Sequence, residues 1–168
     1  IMGLQSIVPS LRVSQLQSST NSTFSIRGFG NGANNEGIEP SVGIFIDGVY
    51  RSRAGAAISD LPRLDLVEVL SGPQRTLFGK NASAGVISVI TTKPSGETGG
   101  YLEGSAGNMD YKNAKFLFES AISEDLSFDI SGIATQRDGY FTDIGGGEAL
   151  NERDRWGLRG QVYWTPND

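Results

Sequence analysis

Residues 155–164 read Arg155-Trp156-Gly157-Leu158-Arg159-Gly160-Gln161-Val162-Tyr163-Trp164. Trp156, Leu158, Gly160, Val162 and Trp164 share one parity, while Arg155, Gly157, Arg159, Gln161 and Tyr163 share the other. Successive side chains of a strand point to opposite faces, so this alternation predicts a strand over 153–165 with one apolar and one polar face. Working back along the chain, 111–123 sets Ala114, Phe116, Phe118 and Ile122 against Asn113, Lys115, Glu119 and Ser123. In 126–136, Phe128, Ile130 and Ala134 oppose Ser127, Asp129, Ser131 and Thr135. The 101–107 stretch repeats the theme weakly, with Leu102 and Ala106 opposite Glu103 and Ser105. Asn108-Met109-Asp110 and Glu124-Asp125 read as short turns, and Gly139 to Glu152, with Gly145-Gly146-Gly147, as a longer loop. The outcome is four amphipathic strands joined as hairpins.

A half-buried strand of a soluble sandwich alternates in the same way. Strands of about ten or more residues, connections alternating short and long, and Tyr163 with Trp164 at interface height favour an outer-membrane barrel. Four strands cannot close such a barrel, so either further strands are missing or the edges pair elsewhere. In the rival sandwich, a β-rich carbohydrate-binding or adhesion module, Trp156 and Trp164 would sit in the core.

Residues 1–97 read differently. They carry 8 basic and 7 acidic residues, a net +1, whereas 98–168 carry 6 basic and 12 acidic, a net −6. The stretch from Thr92 to Gly100, Thr-Lys-Pro-Ser-Gly-Glu-Thr-Gly-Gly, reads as the linker between them. Ser41 to Ile46 is strand-like and closes at Asp47-Gly48, a strong tight-turn pair. Asp65 to Leu70 is a second strand ended by Gly72-Pro73, and Gly85 to Thr92 a third. Gln74 to Phe78 is expected to form a short helix stopped by Gly79, and Ile58 to Pro62 another short turn or helix. The expected fold class is therefore α+β: a small mixed-sheet domain over 1–97, then antiparallel strands of an incomplete transmembrane β-barrel over 98–168.

Composition narrows the function. The net charge of −5 disfavours a nucleic-acid partner. With no Cys and no His, thiolate and imidazole metal sites, Cys nucleophiles and a Ser-His-Asp triad are excluded. Gly, at 23 of 168, is about twice its average share of roughly 7 per cent, which suits turns and β-structure. No apolar run reaches the roughly 18 residues of a membrane-spanning helix. Ile1-Met2-Gly3-Leu4-Gln5 has none of the features of a signal peptide, and the chain is expected to be a fragment.

No motif supports enzyme chemistry. From Gly72 to Gly79-Lys80 the glycines are separated by six residues where a phosphate loop needs four, and Asn81 stands where Ser or Thr should bind the metal. Gly28-Phe29-Gly30-Asn31-Gly32 lacks the strand-then-helix setting of a dinucleotide site and reads as a flexible loop. The carboxylates Asp47, Asp60, Asp65 and Glu68 are in principle acid and base groups, but Asp47 reads as a turn former, Asp65 and Glu68 lie on a strand of open orientation, and the four make no constellation. Neither an enzyme, a cofactor nor a metal site is expected.

Four segments, taken in order, resemble the plug domain of TonB-dependent outer-membrane receptors. They are Phe24-Ser25-Ile26-Arg27-Gly28-Phe29; Pro40 to Val49 (Pro-Ser-Val-Gly-Ile-Phe-Ile-Asp-Gly-Val); Leu66 to Gln74 (Leu-Val-Glu-Val-Leu-Ser-Gly-Pro-Gln); and Thr76 to Pro94, from Thr-Leu-Phe-Gly-Lys-Asn through Ile-Ser-Val-Ile-Thr-Thr-Lys-Pro. The resemblance implies an outer-membrane receptor of a Gram-negative bacterium that imports a scarce nutrient, a ferric siderophore first and a glycan or vitamin as alternatives. Its implied partners are the TonB-ExbB-ExbD complex, the extracellular ligand and outer-membrane lipid. It implies a 22-strand plugged barrel, so roughly eighteen strands beyond these four, and a TonB box that these residues do not contain.

The resemblance also implies roles for residues. A wide lumen would leak unless a polar plug filled it, and that plug must meet the wall through polar contacts that can be broken. Arg27 matches a family arginine that pairs with wall glutamates; the bland reading of it is a solvated surface charge. A second family arginine directly precedes the Gly-Pro pair, where this chain has Ser71, leaving Arg75 as a substitute. By position, the outward plug loops are Gly30 to Gly37 and Tyr50 to Ala56. There Asn31, Asn34 and Asn35 offer amides, Tyr50 a ring and hydroxyl, and Arg51 and Arg53 cationic forks suited to anionic chelates. The bland reading is that these Gly and Asn residues satisfy turn geometry.

Overall fold

The computed structural model describes residues 2–15, 22–30, 40–52, 63–142, 149–150 and 152–166. The Ile58–Pro62 turn expected from the sequence lies outside them. The chain divides into two units, residues 1–91 and 92–168.

Unit 1 starts with a 3₁₀ turn, Met2–Ser6, followed by β1 (Leu11–Gln15), β2 (Ser22–Ile26) and β3 (Phe29–Gly30), which pair antiparallel in the order β1-β2-β3. Next come β4 (Val42–Ile46), β5 (Val49–Tyr50), β6 (Leu64–Ser71), α1 (Arg75–Phe78) and β7 (Gly85–Thr91). The second sheet has the order β5-β4-β7-β6; β4 and β7 run parallel, while β5 and β6 pair antiparallel at its edges. A parallel pair needs a long crossover, and the chain between β4 and β7 supplies it.

β4 is buried at all five positions, which is why Val-Gly-Ile-Phe-Ile is a continuous apolar run rather than an alternating one. One face of this sheet, through Val42, Ile44, Ile46, Ile87 and Val89, packs on Leu11, Val13, Phe24 and Ile26 of the first sheet. On the other face, Phe45, Ala82 and Val86 meet Tyr50, Leu70 and Phe78, so α1 caps a second, smaller cluster. Among the described residues, two sheets with one short α-helix make the mixed α+β domain expected.

Two turns have the same geometry. Arg27 and Gly28 have φ of 52° and 81°, and Ile26 pairs with Phe29 across them; Asp47 and Gly48 have φ of 50° and 77°, with Ile46 paired to Val49. Positive φ at both central residues defines the type I′ hairpin turn, whose twist suits adjoining strands. The segment beginning Gly28-Phe29-Gly30, expected as a flexible loop, thus starts as a tight turn and a short strand. The reason is that Phe29 and Gly30 find backbone partners in Ile26 and Ser25.

Unit 2 holds β8 (Gly99–Gly107), β9 (Tyr111–Ser123), β10 (Leu126–Arg137), β11 (Phe141–Thr142), β12 (Ala149–Leu150) and β13 (Arg153–Trp164). The four long strands form an antiparallel sheet ordered β13-β10-β9-β8. At 12 or 13 residues, β9, β10 and β13 exceed the roughly 9–11 that a tilted strand needs to cross a bilayer. The 139–152 connection, expected as a loop, contains a two-stranded ladder, β11 with β12, invisible to a period-2 search because each strand has only two residues.

Burial on this sheet is inverted. Glu119 is 6% exposed, Asp129 7% and Ser131 2%, while Trp156 is 81% exposed and Trp164 67%. Leu102, Phe116, Phe118, Ile130, Leu158 and Val162 are exposed with the tryptophans. A water-soluble sandwich buries its apolar row. Here the apolar row is exposed, both tryptophans included, the reverse of that pattern.

Candidate functional site

The type I′ turn at the end of β2 sets Arg27 in a backbone region that costs an ordinary residue roughly 1–2 kcal/mol relative to the right-handed one. Its backbone N–H donates to Ser10 O at 2.8 Å, and its side chain is exposed with no ion-pair partner among the described residues. Arg27 borders an open cleft of about 440 Å³, lined among others by Phe29, Ser41, Gly72, Pro73 and Ala84. The fold therefore brings Arg27 to the Gly72-Pro73 corner, forty-odd residues away in sequence, where the family pattern expects a second arginine and this chain has Ser71. Ser71 is half-buried as the last residue of β6. Arg75, four residues on, opens α1 and is exposed.

Tyr50 and Arg51 follow the second type I′ turn. The Tyr50 ring lies 5.4 Å from Phe45, whose own ring is 4.9 Å from Phe78, so Tyr50 is half-buried in an aromatic cluster. Arg51 is half-buried, and its backbone N–H donates to Ile44 O at 2.8 Å. The remaining sequence-derived ligand residues, Asn31, Asn34, Asn35 and Arg53, lie outside the described residues.

Asp47, read as a turn former, does more than turn the chain. Its carboxylate accepts from the Thr91 N–H at 2.8 Å and from Thr91 Oγ1 at 3.1 and 2.9 Å. The sequence carries the turn signal but no sign of this partner, 44 residues away.

On the unit 2 sheet, Glu119 and Asp129 stand directly opposite each other on β9 and β10, with Gln161 next in the same row on β13. Buried carboxylates need polar partners. Glu119 accepts from the Ser95 N–H at 3.2 Å, and Thr135 Oγ1 donates to Asn113 Oδ1 at 2.8 Å. The stretch after Thr91 is tied to the same face. Gln161 Nε2 donates to Thr92 O at 3.3 Å, and Lys93 Nζ lies 3.2 Å from Tyr163 Oη and 4.6 Å from its ring centre. Parity put Glu119, Asp129 and Gln161 on the polar face; only the register shows that they share one row.

Comparison with known proteins gives a consistent answer. Residues 3–86 match the family model described as "TonB-dependent Receptor Plug Domain". The pesticin receptor of Yersinia pestis is 31% identical over 125 residues, covering 74% of this chain and 18% of the relative. The ferrioxamine receptor of Yersinia enterocolitica is 25% identical over 150 residues, covering 87% of this chain and 19% of the relative. Among solved structures, the ferric yersiniabactin uptake receptor from Yersinia pestis superposes with a TM-score of 0.78 at 27% identity, covering 95% of this chain and 25% of that one. The chain thus spans about a fifth of the length of the curated relatives it matches. Its ordered segments, its mixed sheet and its outward-facing apolar strands agree with these matches, and the chain belongs to the TonB-dependent receptor plug domain family.

Proposed function

We propose that this chain forms the plug and first barrel strands of an outer-membrane TonB-dependent transport receptor of a Gram-negative bacterium, which binds a scarce extracellular nutrient and imports it with energy relayed by TonB-ExbB-ExbD. The nutrient of first choice is a ferric siderophore. One observation carries the reading: on β9 and β10 polar side chains such as Glu119, Asp129 and Ser131 are buried, while on β13 the apolar row is exposed, with Trp156 and Trp164 at its two ends. In water an exposed apolar row is unfavourable; against hydrocarbon it is favoured. The open edges of the sheet, β13 and β8, offer backbone groups for further strands. Named relatives that handle iron chelates, the ferrioxamine receptor and the ferric yersiniabactin uptake receptor, support the choice of ligand.

In this reading the plug gates the lumen, and its outward loops, with Asn31, Asn34, Asn35, Tyr50, Arg51 and Arg53, meet the ligand. Arg27, and Arg75 in place of the missing second arginine, hold the plug to acidic wall groups until TonB pulls. Charge-assisted contacts suit a lock because water can replace them when they open, whereas a greasy contact would resist separation.

The experiment is uptake of radioactive ferric chelates by iron-limited cells carrying the whole receptor, together with membrane fractionation. Outer-membrane recovery and TonB-dependent uptake are expected; recovery in the soluble fraction would end the proposal. Arg51→Ala with Arg53→Ala should weaken binding of anionic chelates more than neutral ones.

A further inference from the structure

The stretch that leads from Thr91 into the first long strand is fastened across the sheet before it joins it. Gln161 Nε2 on β13 donates to Thr92 O at 3.3 Å, and Lys93 Nζ lies 3.2 Å from Tyr163 Oη and 4.6 Å from its ring centre. Pro94 is buried. The Ser95 N–H donates to Glu119 Oε2 on β9 at 3.2 Å, and the Glu97 N–H donates back to Ser95 Oγ at 3.2 Å. Thr98 Oγ1 then meets Ser120 Oγ at 2.7 Å. The sheet order is β13-β10-β9-β8, so this stretch is held first at one edge, next on β9, and only then enters β8 at the other edge.

β8 itself is poorly built to resist a pull along that stretch. It opens with Gly99 and Gly100, opposite Glu119 and Phe118, and glycine brings no side chain to a cross-strand pair. A Cβ at Gly100 would run into the Leu117 carbonyl, so a larger residue cannot reinforce this end. A load arriving at Gly99 along the chain would open the ladder one rung at a time, because each backbone bond in turn carries all of it. The same load arriving at Thr92 is shared among contacts to two strands. Undocked, residues 92–98 would stretch to about 25 Å and then hand the whole load to β8. A barrel tolerates no unpaired strand within its wall, so peeling β8 would breach it.

From this arrangement we infer that residues 92–98 are a strain-relief strap: the contacts made by Gln161, Lys93 and Glu119 take up force entering from the plug and spare the pairing of β8 with β9. Lys93 holds Tyr163 both by a charge-assisted hydrogen bond and by its charge over the ring, so a small displacement does not free it. Pro94 fixes its own φ and limits how far the strap can be drawn out. The inference rests on the receptor reading above, which supplies the pull.

The test pulls the whole receptor, held in a supported bilayer, by the N-terminal side of its plug with an atomic force microscope. In the unaltered receptor, chain release should stop at the strap, with β8 still paired at the forces that unravel unit 1. With Lys93→Ala and Gln161→Ala together, β8 should peel at those forces and release about 32 Å more chain, its 9 residues at full extension. Lys93→Arg keeps the charge over the ring and should restore the unaltered trace when Gln161 is intact. Gln161→Ala alone disturbs the fold least and should peel β8 at a force between the two. Equal release lengths in the unaltered receptor and the double variant, or β8 peeling from the unaltered receptor along with unit 1, would each overturn the strap. Failure of the receptor reading shows separately, as absence of the unaltered protein from the outer-membrane fraction.

Discussion

The carboxylate of Asp47, in a left-handed turn after β4, grips both the backbone N–H and the hydroxyl of Thr91, the last residue of β7. Strands β4 and β7 are the parallel pair at the centre of unit 1, and this contact closes the end at which both terminate. Hydrogen bonds to a charged acceptor contribute about 1.5–3 kcal/mol each at most, and Thr91 is buried. Asp47→Ala should therefore destabilise unit 1 by about 2 kcal/mol and speed exchange of the Thr91 amide. Asp47→Asn keeps the turn preference and one acceptor, so it should do less. Hydrogen exchange read at Thr91 checks both, and unaltered protection in Asp47→Ala would refute the contact's importance.

Gly85 opens β7 where the chains lie too close for a side chain. A Cβ there would meet Leu70 O and Ile26 Cδ1, each at 2.5 Å. The Ile26 methyl can move, but the Leu70 carbonyl belongs to the paired strand β6. Gly85→Ala should cost on the order of 1–3 kcal/mol, as overpacking of a filled interior does. A thermal unfolding midpoint equal to that of the unaltered protein would contradict the packing described.

On the apolar face, Leu158 stands in the row of Gly132, Phe116 and Leu102, within the band bounded by Trp156 and Trp164. Leu158→Arg should cost about 2–4 kcal/mol of insertion stability if that band meets the bilayer midplane, whereas Gln161→Arg on the other face should not impose this lipid-facing cost. Brominated lipids should quench Trp156 and Trp164 in the reconstituted receptor. Tryptophans shielded from the quencher would point to a soluble sandwich instead.

Arg27 holds a position that its backbone conformation would leave to Gly or Asn. Arg27→Gly should leave the unfolding midpoint of unit 1 unchanged or slightly higher, since the relief of a left-handed residue, roughly 1–2 kcal/mol, is offset in part by the extra backbone freedom that glycine loses on folding. If Arg27 locks the plug, the same variant should alter ligand uptake by iron-limited cells. Loss of stability with unaltered uptake would make Arg27 a structural residue only.

Much of this was legible in the residues. Period-2 alternation placed β9, β10 and β13 within a residue or so of their observed ends, because side-chain parity is a local property of extended chain. Asp47-Gly48 announced its hairpin, and Gly79 the end of α1, through the backbone freedom of glycine. The first sheet was not legible: β1 and β2 are five-residue strands whose apolar positions gain meaning only when buried against β4 and β7.

The sequence by itself determined which side chains share a face of each strand and where the tight turns fall, since both follow from one residue and its immediate neighbours. Tertiary structure alone decided which face is buried, that Glu119 and Asp129 share a row, that Arg137 stands against Arg153, and that Thr91 closes on Asp47. Those relations join residues far apart along the chain. They depend on strand register and on what each face packs against, and no local pattern encodes either.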